Sequence, residues 1–204
     1  MSEKSEDKNM VKETVLTKKY NTYTYGDYLN WPDDKRYELI AGQPYLMSPA
    51  PSRKHQDVLL PILDQIYNYL KDKKCKVYCA PFDVKLPEGK EKDEDISTVV
   101  QPDIVVVCDQ DKLDEQGCKG APDLVVEIIS TSSVKKDKKI KRELYERHGI
   151  KEYWLVDYTQ KIVEVFLLDK NNEYGKPDIY TTQDKLSISI FADLNIDLET
   201  VFRE

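Results

Sequence analysis

Two acidic residues stand where carboxylates are costly. Asp103 opens the run Pro102-Asp103-Ile-Val-Val-Val, and Glu127 lies inside Asp123-Leu-Val-Val-Glu127-Ile-Ile. Runs so rich in β-branched residues read as neighbouring strands buried on both faces of a sheet. An ionised carboxylate at the edge of a dry strand needs a cation to meet it. Two of them on adjacent strands can share one hard divalent cation such as Mg²⁺ or Mn²⁺. That ion would polarise a phosphoryl oxygen and lower the pKa of a bound water, while a nearby lysine orients the water. The competing reading is a pair of structural carboxylates satisfied by backbone amides or by a lysine.

The elements that must position these acids follow from periodicity. Thr24, with Asp27 three residues on, caps a short helix that ends before Pro32. Residues 36–48 read as two strands around an Ala41-Gly42 turn. Ser52 caps a long helix over 53–73 whose stripe His55, Leu59, Ile62, Leu63, Ile66 and Leu70 faces a core. Strands follow at 77–80 and 82–86, then a charged loop at 87–98, expected to be mobile, and then the two acid-bearing strands. A helix over 133–148 stops at Gly149, and strands at 152–157 and 162–168 come next. Weaker strand signals at 178–182 and 186–190 precede a short helix at 198–202. The order is that of an α/β fold with a central mixed β-sheet flanked by helices.

Composition narrows the classes. A chain of 204 residues suits one domain, expected over 20–204, behind a disordered tail at 1–19. The net charge of −7 repels nucleic acid globally, so contact with it must rest on a local patch. The densest positive run is 135–142, six basic residues against one acidic. Four cysteines form no CxxC pair and the histidines number two, which speaks against zinc. No signal-like stretch opens the chain and no apolar run approaches the ~18 residues of a membrane span. The simplest expectation is a cytoplasmic protein with reduced thiols and no membrane contact.

Several further segments carry a resemblance. Tyr37-Glu-Leu-Ile-Ala-Gly42, Met47-Ser-Pro-Ala-Pro-Ser52, His55, Ala80-Pro-Phe-Asp-Val84, Val100-Gln-Pro-Asp-Ile104, Gly120-Ala-Pro-Asp-Leu-Val-Val-Glu-Ile128, Tyr145-Glu-Arg-His-Gly149 and Glu152-Tyr-Trp-Leu-Val-Asp157 occur in this order. Over residues 24–168 they resemble the Uma-two family of restriction-endonuclease-like proteins, within the PD-(D/E)XK nuclease superfamily. The resemblance implies a restriction-endonuclease-like core and Mg²⁺- or Mn²⁺-dependent hydrolysis of nucleic-acid phosphodiester bonds. The expected polymer is DNA. Asp103 matches the Pro-Asp aspartate, Glu127 the second acid and Glu38 the first acidic motif. In the standard pattern a lysine stands two residues after the second acid, where this chain has Ile129. Lys141, on the following helix, matches the position from which the family supplies it.

The expected site is therefore Glu38, Asp103, Glu127 and Lys141, the three acids holding the metal and Lys141 assisting the water. Asp137, Lys141 and Tyr145 share a helix face by their spacing of four. The bland reading of Asp137 and Lys141 is an exposed ion pair. His55 and Tyr145 are expected behind the ligands, and Asp83 either approaches the metal or pairs with a lysine. Ser130 is expected to cap the following helix. Lys135, Lys136, Lys138, Lys139 and Arg142 are the candidates for phosphate contact. Restriction-type folds cut duplexes in pairs, so a homodimer is expected, with an edge after residue 158 on offer for pairing. The rival is a non-catalytic oligomeric binding module that retains the fold, which the net charge of −7 favours.

Overall fold

The computed structural model describes residues 22–32, 34–47, 50–129 and 136–203. The expected tail at 1–19 lies outside them. In chain order the elements are α1 (Tyr25–Tyr28), β1 (Tyr37–Ile40), β2 (Gln43–Leu46), α2 (Arg53–Leu70), β3 (Lys76–Cys79), β4 (Asp83–Lys85), β5 (Val99–Val100), β6 (Ile104–Val107), β7 (Leu113–Asp114), β8 (Gly117–Lys119), β9 (Leu124–Ile129), α3 (Arg142–Arg147), β10 (Glu152–Asp157), β11 (Ile162–Leu167), β12 (Asp178–Thr181), β13 (Lys185–Ser187), β14 (Asn195–Asp197) and α4 (Leu198–Val201). They fall into two compact units, one comprising residues up to 49 together with 85–100, the other 50–84 and 101–204.

In the smaller unit β1 and β2 form an antiparallel hairpin, and β5 pairs with β1. Ala41 and Gly42 turn it with φ of 49° and 73°. Positive φ at both central residues is what a two-residue hairpin turn requires. A Cβ on Gly42 would also come within 2.5 Å of the Thr22 Cβ. The expected capping box is present, with Thr24 and Asp27 bonding each other's backbone. Tyr23, Tyr25, Leu39, Ile96 and Val99 make the core. The charged loop expected at 87–98 is partly structural: it carries a 3₁₀ turn at Asp93–Asp95 and buries Ile96 and Thr98. Its Asp93 accepts a 2.6 Å bond from the fully buried Lys85.

The larger unit is built on a six-stranded mixed sheet of order β12-β11-β10-β9-β6-β3. β9 and β10 are parallel and the other neighbours antiparallel. Alternation along β9 sends Leu124, Val126 and Ile128 to the face covered by α2, where Ile62, Ile66 and Trp154 join them. Val125 and Glu127 take the other face, which α3 covers through Leu144 and Tyr145. Ser52 caps α2 as expected, accepting from the His55 N–H.

Three expectations are corrected. The helix expected over 133–148 is, from residue 136, a π-helical stretch at Lys136–Lys141 followed by α3; residues 133–135 are outside the described set. Gly149 ends it with φ of 76°, as its type suggested. Hairpin β7–β8 and strand β14 were invisible to periodicity because elements of two or three residues show no repeat. The thiols are not all reduced, since Cys75 and Cys108 form a disulfide. The β3–β6 register pairs Lys76 with Val107, so the residues one step outward face each other with Cα atoms 3.9 Å apart.

Two outcomes follow from the packing. Ile62→Ala on α2, which is fully buried, should cost about 2–5 kcal/mol in urea unfolding. Glu152 is buried and bonded by Trp154 Nε1 at 2.6 Å and Ser189 N–H at 2.8 Å, yet desolvation raises its pKa. A carboxyl raised in the fold stabilises most below its ordinary value of 4.5 and loses that contribution as pH rises through its folded pKa. Glu152→Gln should therefore flatten this decline in a pH series of denaturation midpoints.

Candidate active site

The site begins with strand register. Ile104 pairs with Val126 and Val105 with Val125. Continued by one step, this register carries Asp103, the residue just before β6, to the position across from Glu127. Asp103 sits at the open end of β6, its side chain 20% exposed. Its Oδ2 accepts from the Ile128 N–H at 2.7 Å and lies 3.2 Å from His55 Nε2. Its Oδ1 makes no hydrogen bond among the described residues. His55 Nδ1 is likewise buried without a hydrogen-bond partner.

Glu127 lies deeper, its side chain 6% exposed. Lys141 Nζ donates to its Oε1 at 2.7 Å and the Tyr145 hydroxyl to the same oxygen at 2.8 Å. Lys141 comes from the last position of the π-helical stretch and Tyr145 from α3, one helix turn on. The exposed ion pair expected between Asp137 and Lys141 is in fact buried, with Asp137 Oδ1 3.9 Å from Nζ. Lys141 thus stands between two carboxylates. Tyr153 on β10 closes the floor, edge-on to Tyr145 and donating to the Asp137 carbonyl at 3.1 Å. Burial, then the nearby Glu127 charge, pushes the Tyr153 phenol well up from its ordinary value.

The larger unit therefore brings together Asp103, Glu127, Lys141, Tyr145 and His55. Glu38 lies on β1 of the smaller unit and is fully buried. Asp83 accepts from the Gln101 amide at 2.8 Å. Lys135 and Ser130 lie outside the described residues. Of the other basic residues, Lys139 is exposed and Lys136 half-buried. Lys138 bonds Glu164 at 2.7 Å. Arg142 donates to the Tyr174 carbonyl at 3.0 Å and lies over the Phe166 ring. The sequence reading passed over Asp137 and Tyr153 as site residues. Asp137 had a signal, the four-residue spacing to Lys141, whereas Tyr153 reads as an ordinary core aromatic.

A divalent cation can be tested against this donor set. Among the described residues no three or more His, Cys, Asp or Glu side chains group closely enough to hold a metal ion. Mg²⁺ does not require such a cage, being held by one or two carboxylates with waters and substrate phosphates. A cross-strand acid pair whose Asp103 keeps one oxygen unbonded fits that mode.

A mixed sheet with helices on both faces and an acid pair at the meeting of two central strands defines a restriction-endonuclease-like α/β protein. The chain belongs to the Uma2 family, described as "Putative restriction endonuclease", whose profile matches residues 25–199. It also resembles a crystal structure described as "a putative nuclease belonging to DUF820" from Anabaena variabilis, at 18% identity and a TM-score of 0.69. That likeness covers 88% of this chain and 97% of the other. No functionally curated protein matches the chain.

The buried cluster yields its own test. Lys141→Met leaves the Glu127 charge buried without its cation and should cost about 3–5 kcal/mol. Tyr145→Phe removes one hydrogen bond and should cost about 1–3 kcal/mol. In Lys141→Met/Glu127→Gln most of the loss should return, as read in denaturant titrations.

Proposed function

We propose that this chain is a divalent-metal-dependent endonuclease that hydrolyses phosphodiester bonds of nucleic acid, with DNA the preferred polymer. The observation that carries the reading is the strand register that sets Asp103 opposite Glu127, with Lys141 Nζ 2.7 Å from the Glu127 carboxylate. Membership of the family described as "Putative restriction endonuclease" supports it. Asp103 and Glu127 would hold Mg²⁺ or Mn²⁺. When bound, that ion supplies Lewis-acid polarisation of a phosphoryl oxygen.

The chain's own groups do the rest. The His55 ring and the Ile128 N–H fix Asp103 in one orientation. The Tyr145 hydroxyl does the same for Glu127. Lys141 donates a hydrogen bond to the attacking water and offsets the charge that develops on the phosphate. The water oxygen bonds to phosphorus as the P–O3′ bond breaks, leaving a 5′-phosphate and a 3′-hydroxyl that takes up the proton. Lys136, Lys138, Lys139 and Arg142 contribute positive charge beside the site for backbone phosphates.

One observation favours the rival, a non-catalytic binding module. Lys141 is already satisfied by Glu127 in a buried pair, as a purely structural lysine would be. Calorimetric titration with Mn²⁺ separates the two. The nuclease reading expects about one ion per chain, lost in Asp103→Asn while the fold persists. It also expects cleavage of linear and supercoiled DNA in Mg²⁺ or Mn²⁺ that falls about 10²–10³-fold in Lys141→Met. Metal-independent DNA binding, unchanged by Asp103→Asn and without cleavage of DNA or RNA, would identify the binding module instead.

A further inference from the structure

The six-stranded sheet ends at β3, whose outer side has no strand beside it among the described residues. The Ala80 N–H donates to the Asp103 carbonyl at 3.1 Å. By antiparallel alternation Lys76 and Tyr78 turn their backbone groups towards β6, and Val77 and Cys79 turn theirs away from it. Beside this edge runs an apolar groove of about 560 Å³ between α2 and β3. Leu60, Leu63 and Tyr67 line it from the helix, and Val77, Pro81 and Phe82 from the strand side. Leu60 and Tyr67 are 57% and 58% exposed. An open edge beside an apolar furrow invites pairing with another strand unless the protein covers it.

The outer face of α2 indicates what covers it. Asp57, Leu60, Asp64, Tyr67 and Lys71 are all exposed, and their alternating spacing of three and four places them in one stripe along the helix. The stripe has Asp57 near its start, bonded by Arg53 of the same helix at 2.7 Å, Lys71 at its end and apolar residues on either side of Asp64. Positions 57, 64 and 71 are evenly spaced, so the stripe is complementary to its own reverse. We propose that a second copy of this chain docks here, β3 pairing antiparallel with β3 and α2 lying antiparallel against α2.

One two-fold axis, passing near Asp64 and Tyr78, serves both elements, because the groove is lined by residues centred on these two positions. The arrangement sets Asp57 of each copy beside Lys71 of the other and Leu60 beside Tyr67. It continues the sheet through the backbone groups of Val77 and Cys79. Such an interface is isologous, the commonest kind in homodimers. The two Asp64 carboxylates approach each other at the axis, each bonded by Asn68 of its own helix at 2.9 Å. The opposite edge, β12, also exposes an apolar side chain, Ile179, at 62%. The proposal does not depend on the nuclease reading.

Sedimentation velocity of the full chain tests it, with circular dichroism to verify that each variant folds. Wild type should dimerise reversibly. Leu60→Glu and Cys79→Pro should each weaken self-association at least about tenfold. A proline at Cys79 is compatible with the fold because its outward N–H bonds nothing in the sheet. Lys71→Glu should also weaken the dimer, and Asp57→Lys/Lys71→Glu should restore it. A monomer at every concentration overturns the proposal, as does a dimer that Leu60→Glu and Cys79→Pro leave intact. Failure of the charge swap to restore association overturns the antiparallel helix arrangement.

Discussion

The antiparallel register between β6 and β9 is the constraint on which the rest of the larger unit depends. Side chains alternate with a period of two along a strand, so a slip of one residue would carry Glu127 to the face of α2 and into the apolar core. In the observed register Leu124, Val126 and Ile128 fill that core, and Glu127 faces Lys141 and Tyr145 instead. The same register sets Asp103 opposite Glu127 and within reach of the Ile128 N–H. Asp123 secures the other end, accepting from the Cys108 N–H at 2.8 Å and from Lys151 at 2.7 Å. Hydrophobic alternation and the satisfaction of buried charge thus select one and the same pairing.

The cluster on the far face is costly for a stability device. A buried ion pair recovers at best part of the desolvation cost of its two charges, and apolar residues of similar volume commonly serve the fold as well or better. Here Lys141, Glu127 and Asp137 are all buried, with two tyrosines around them. A π-helical stretch delivers Lys141, and wide turns inside helices recur at functional sites. Such a turn adjusts where a side chain emerges without breaking the helix that carries it.

The acidic chain meets its proposed polyanionic substrate with less positive charge than its basic run suggests. Within residues 136–142, Lys138 is paired with Glu164, Lys141 with Glu127, and Arg142 is tied to Tyr174 and Phe166. Their charge still contributes to the local field, but their hydrogen-bond donors are partly committed inside the fold.

Much of this protein is legible in its residues. Buried strands are recognisable as β-branched runs, helix starts as Thr24 and Ser52, and the helix end as Gly149, because each is dictated by local sterics or by backbone groups that need a partner. Asp103 and Glu127 stand out for the same reason, as charges inside segments that exclude water. The pairing of elements distant in the chain was not legible, since it is settled by global packing. Lys141 reads as one of many surface lysines until α3 is laid over β9 and buries it. Cys75 and Cys108 carry no spacing signal, and only the β3–β6 register makes them neighbours. Arg142 likewise reads as one more basic residue of its run until the Tyr174 carbonyl is placed beside it. The sequence by itself determined which residues are too polar for where they lie. Tertiary structure alone decided which of them meet, because a partner across the sheet is chosen by register and burial rather than by any local preference.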